Sequence, residues 1–86
     1  MFRITKICDD PDGLELFLEG RLTGAAASDL LEICEPVLCG DRFLSLDLSG
    51  LQSADTSGRA ALLSLVRRGA VASRSTVFIE EFLAAK

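Results

Sequence analysis

An 86-residue chain that is 49% apolar with a formal net charge of −4 has room for one domain with a true core, spanning residues 1–86. This balance argues against a disordered chain and against a partner recognised through its phosphate backbone. Three cysteines without a close pair, and no histidine, supply neither a metal-ligand set nor an activated thiol, so Cys8, Cys34 and Cys39 read as small reduced residues.

Phe2 and Ile4 open an alternating run to Cys8, and Leu14, Leu16 and Leu18 alternate with Glu15, Phe17 and Glu19. Both read as strands. Between them Asp9-Asp10-Pro11-Asp12-Gly13 combines a preset proline dihedral with a glycine that tolerates positive φ, which predicts a tight reversal and a β-hairpin. After Gly20, Ala27, Leu30, Leu31, Cys34, Val37 and Leu38 recur at helical spacing, with Thr23 as N-cap. Pro36 lacks an N–H and crowds the preceding turn, so this helix is expected to kink or end around Glu35.

Phe43 to Leu48 alternates again and is flanked by helices, which predicts an interior strand joined to the strand at Leu14 in a parallel βαβ unit. Ser57 to Arg68 is a helix with Ala61, Leu62, Leu65 and Val66 on one stripe, bases in its last turn and Gly69 beyond. Val71 to Ser73 suits a short strand, and Ser75 or Thr76 can cap a closing helix bearing Phe78, Ile79, Phe82 and Leu83 on one face. The expected fold is an α/β domain: a small mixed sheet, made of an N-terminal hairpin and parallel βαβ units, packed with about three helices. No apolar run is long enough to cross a bilayer and the N-terminus lacks the form of a secretion signal, so a cytoplasmic location without direct membrane insertion is expected.

An apolar strand ending in Asp47-Leu48-Ser49-Gly50, a short connector, and Asp55-Thr56-Ser57-Gly58 opening an apolar helix together resemble the STAS domain, the family of bacterial anti-sigma factor antagonists. Gly20 to Thr23 is similar to the stretch before that family's first helix, and Gly69 onward to its closing strand and helix. The resemblance implies a protein-binding regulatory switch in signal transduction and transcription control, whose partner is an anti-sigma factor or a serine/threonine-type kinase. It implies Thr56 as phospho-acceptor and Asp55, Thr56, Ser57, Gly58, Arg59 and Thr23 as the partner-binding surface.

Physical chemistry makes Thr56 suitable for a switch, because a helix entrance offers free N–H groups and the positive end of the dipole to a phosphate. Gly58, without a side chain, is expected to leave the helix backbone open to close approach by another protein. On the residue pattern alone these positions also serve as plain capping residues. The acids at Asp9, Asp10 and Asp47 superficially resemble a phospho-aspartate receiver, but a receiver alternates strand and helix from its start, whereas Asp10 to Gly13 turns directly into another strand. Catalysis is not expected, nor a cofactor or metal: there is no histidine, Thr56 has no evident base, and Gly50 and Gly58 lack the spacing of a phosphate-binding loop. Two alternatives stay open. Some STAS proteins that resemble this chain, including ones with Asp-Thr before the helix, are subunits or regulators of membrane transport complexes for lipids or anions, where the partner would be a transporter ATPase subunit and no phosphorylation is needed. The other is a structural homo-oligomer.

Overall fold

The computed structural model of the protein describes residues 2–40 and 42–74. Strand β1 (Phe2–Asp10) and strand β2 (Gly13–Leu22) form the hairpin, followed by helix α1 (Gly24–Cys39), strand β3 (Phe43–Ala54), helix α2 (Thr56–Arg67) and strand β4 (Val71–Arg74). The four strands lie in the order β1-β2-β3-β4. Strand β1 is antiparallel to β2, whereas β2, β3 and β4 run parallel, so the mixed sheet and the βαβ unit beside the hairpin are as expected. Of the expected helices two are described; the closing helix from Ser75 or Thr76 lies outside the described residues.

The hairpin turn is held by side chains. The Asp10 carboxylate accepts the N–H groups of Asp12 and Gly13, each at 2.9 Å, and the Arg42 guanidinium closes over the turn by donating to Asp9 and to the Asp10 carbonyl. Gly13 does not adopt the positive φ expected of it. It is needed for space, since a Cβ there would lie 2.9 Å from the Phe43 carbonyl oxygen.

Leu14, Leu16 and Leu18 of β2 and Leu44, Leu46 and Leu48 of β3 face the helices. There they form one buried cluster with Leu30, Cys34 and Val37 of α1 and Leu62 and Leu65 of α2. Each such leucine contributes on the order of 2 kcal/mol by leaving water. This burial also explains why α1 runs through Pro36 to Cys39 instead of ending near Glu35. Val37 lies buried beyond the proline on the same stripe, while Pro36 itself is exposed, where water can satisfy the carbonyl whose donor is lost.

Strand β3 also outruns its expected end at Leu48, reaching Ala54. Register shifts against β2 at Phe17/Glu19 and Gly20/Arg21 change the side-chain phase, so that Leu51 and Ala54 turn inward although the sequence no longer alternates. Helix α2 ends at Arg67, one residue before the expected Arg68, and the chain turns away at the expected Gly69, whose φ of 112° only glycine adopts readily. The Gly69 N–H donates to Val66 and the Ala70 N–H to Leu65, the paired bonds of a Schellman stop.

Candidate functional site

Strands β2 and β3 are parallel, so both end on one side of the sheet and the helices that follow them begin side by side. Thr23 precedes α1 and Asp55 precedes α2. The two entrances are joined by a single carboxylate. Asp55 Oδ1 accepts the Gly58 N–H at 2.8 Å, capping its own helix. Its Oδ2 accepts the Gly24 N–H at 3.1 Å, from the first residue of the other helix. The backbone repeats the link, because the Asp55 N–H donates to the Leu22 carbonyl at 3.1 Å.

Thr23 holds the expected N-cap position of α1, but its hydroxyl makes no capping hydrogen bond. Asp55 supplies the missing acceptor from 31 residues away. Thr23, Asp55, Thr56, Ser57 and Arg59 are all exposed, and Ser57 stands beside Gly24, whose added Cβ would come within 3.7 Å of the Ser57 hydroxyl. Thr56 is the first residue of α2, one position earlier than the sequence suggested for the helix start. Its N–H and that of Ser57 precede the helix's first internal donors, and they point outward with the positive end of the dipole.

Gly58 departs from expectation. It is buried, and the approach its missing side chain permits is internal: a Cβ would sit 2.4 Å from the Leu22 carbonyl oxygen and 2.9 Å from Leu22 Cγ. Glycine at this position lets α2 press onto the end of β2, and so sets how far the Thr56 entrance projects. The space left by its missing side chain is filled by Leu22.

Asp47, the acid of the preceding Asp-Leu-Ser-Gly run, lies within β3 rather than at a strand end. It is buried and accepts both the N–H and the hydroxyl of Ser49, at 3.0 and 2.7 Å. Partial burial works to raise its pKa, but the two Ser49 donors win and hold the carboxyl below its ordinary value. Among the described residues no cluster of acids and cysteines is arranged to hold a metal.

At the far ends of the helices, Arg68, which caps the end of α2, reaches Glu35 of α1 with two parallel bonds of 2.8 and 3.0 Å. That fork, with the Cys39 thiol donating to the same carboxylate, lowers the Glu35 pKa to about 2. The helix pair is thus tied at its entrance by Asp55 and at its exit by Glu35. Neither tie is visible in the sequence, since each joins residues more than 30 positions apart.

A family model described as "Mlab, STAS domain" matches residues 9–80. The chain belongs to the STAS family. No match emerges among curated proteins or among solved structures. STAS domains as a class work through protein–protein contacts, in anti-sigma antagonist-like or related regulatory roles. No helix among the described residues of this STAS domain is long and apolar enough to cross a membrane.

Proposed function

We propose that this STAS domain is a non-catalytic binding switch, which docks an anti-sigma factor or its kinase on the paired helix entrances and is released by phosphorylation of Thr56. The supporting observation is the exposure of Thr56 at the first position of a helix whose start is pinned to β2 and α1 through Asp55. A rigid, solvent-facing hydroxyl flanked by Thr23, Ser57 and Arg59 is a surface a partner reads at low entropic cost. A phosphate there gains from the helix dipole locally, so the fold tolerates it. Toward a partner it acts in the opposite sense. It adds roughly two negative charges, and one unit charge about 4 Å from a like charge costs about 4 kcal/mol at an effective dielectric near 20, nearly a thousandfold in affinity.

The test is a pull-down from the host cytoplasm with wild-type, Thr56→Ala and Thr56→Glu baits, with mass spectrometry of both the captured proteins and the bait. The switch requires an anti-sigma-type partner lost with Thr56→Glu and phosphate on Thr56 of the wild type; equal capture by all three baits refutes it. A second reading draws on the Mlab description of the matching family model and on threonine, rather than serine, at position 56. In it the domain is a standing subunit or regulator of a membrane transport complex. It then co-purifies with a transporter ATPase, and the bait carries no phosphate.

A further inference from the structure

The surface away from the helix entrances carries a feature of its own at the β1 edge. No described element pairs with the outer side of β1. From Phe2 to Lys6 the strand keeps an unbroken register against β2, and its only irregularity falls later, between Lys6 and Cys8. This stretch contains no proline and is centred on Ile4. An edge of this kind, with free N–H and C=O groups in a straight row, is a template for another strand. The opposite edge, β4, has 4 residues and a register break against β3.

On the helix side of β1 lies a groove floored by Phe2 and Ile4 and bounded by Ile33, Asp29 and Glu32 of α1. Phe2 and Ile4 are only half-buried and Ile33 is 38% exposed. Neither the Asp29 nor the Glu32 carboxylate makes a hydrogen bond or ion pair with a described residue. The groove therefore asks for apolar surface together with positive charge. The same strand provides both, because Lys6 shares a face with Phe2 and Ile4, all three lying opposite inward positions of β2 at Leu16, Gly20 and Leu18. The Lys6 side chain is 62% exposed, and among the described residues its ion pair is with Asp9, at 3.5 Å.

We propose that two copies of this chain associate edge to edge through β1, antiparallel about a two-fold axis at Ile4. A two-fold interface needs a surface complementary to itself, and this one pairs its own base with its own acids. In this register Ile4 faces its counterpart and Phe2 faces Lys6 of the second copy. Directly opposed residues hold their Cβ atoms about 5 Å apart. The Lys6 stem thus covers Phe2 of the other copy, and its ammonium reaches the Asp29 and Glu32 wall. On the other face Arg3 meets Thr5, so no like charges are opposed. Centring the pair on Lys6 instead would set two ammonium groups against each other and draw in the irregular segment, which disfavours that register.

Sedimentation equilibrium of the full chain over a wide concentration range tests this. The wild type shows a reversible monomer–dimer equilibrium that weakens as salt is raised, and amide exchange within Phe2–Lys6 slows as concentration rises. Lys6→Glu, and separately Asp29→Lys with Glu32→Lys, each weaken the dimer roughly tenfold, because every ion-pair contact occurs twice. Combining all three substitutions restores the wild-type constant to within about threefold. All three positions are exposed, and circular dichroism verifies the fold of each variant. A chain that stays monomeric throughout, or a dimer that the single-sided reversals leave unchanged or the combined reversal does not recover, overturns the proposal.

Discussion

Replacing Gly58 with alanine puts the seating of α2 to a quantitative test. Helix propensity alone favours the change by about 1 kcal/mol, since glycine is the poorest ordinary helix former. The structure reverses that expectation. An added Cβ would stand 2.4 Å from the Leu22 carbonyl oxygen and 2.9 Å from Leu22 Cγ. The oxygen is backbone that already accepts the Asp55 N–H at 3.1 Å, and the Leu22 side chain is fully buried, so neither yields cheaply. Overpacking of this type costs about 1–3 kcal/mol, and a clash with backbone belongs in the upper part of that range. After the propensity gain is subtracted, Gly58→Ala should destabilise the domain by about 1–2 kcal/mol. For a domain of this size that lowers Tm by roughly 5–15 °C. Urea and thermal unfolding measure it, with Gly24→Ala as comparison: a Cβ at Gly24 meets only Ser57, at an ordinary 3.7 Å. If Gly58→Ala proves as stable as wild type, α2 is not pressed onto β2 and the account of the entrance fails.

Asp55→Ala removes the acceptor for both Gly58 and Gly24, and should cost about 1–2 kcal/mol while speeding amide exchange at both entrances together; acceleration at Gly58 alone would deny the link between helices. Thr56→Glu should leave stability equal to or up to about 1 kcal/mol above wild type in urea unfolding, because a negative charge in the first helical turn is favourable. Glu35 titrates from an ordinary 4.5 down to about 2 in the folded protein, so the stability it adds is present above the unfolded value and is lost as pH falls through the folded one. Wild type should therefore lose more stability between pH 4.5 and 2 than Glu35→Gln does, by an amount reduced by solvent screening of this exposed pair. Burial pushes the Cys34 thiol up to about 11, whereas Cys8 and Cys39 are exposed. A thiol reagent should accordingly label Cys8 and Cys39 in the native protein, and Cys34 only after urea is added.

Much of the fold follows from local pattern. Alternating leucines at 14, 16 and 18 and at 44, 46 and 48 have one inward face wherever the sheet forms, and the stripe of α2 ending in Gly69 carries its own stop. Such signals are legible because they depend on side-chain period and on backbone dihedrals, both properties of neighbouring residues. The same locality explains the failures. Pro36 reads as a terminator when only its own turn is considered, yet the helix continues because Val37 beyond it is buried against the sheet. The stretch after Asp47-Leu48-Ser49-Gly50 reads as connector, yet it is strand because Gly20, Arg21 and Leu22 of β2 pair with Leu51, Ser53 and Ala54.

The candidate site divides in the same way. From the amino-acid order alone, Asp55 is recognisable as a cap and Thr56 as a hydroxyl at a helix start, since a cap and its helix lie within one turn of chain. Only the folded molecule decided that Asp55 also holds the entrance of α1, that Gly58 makes room for Leu22, and that Glu35 meets Arg68. Those facts depend on which strands lie parallel and how closely two helices approach across them. Such distances are set by the summed packing of the core, and no short stretch of sequence contains them.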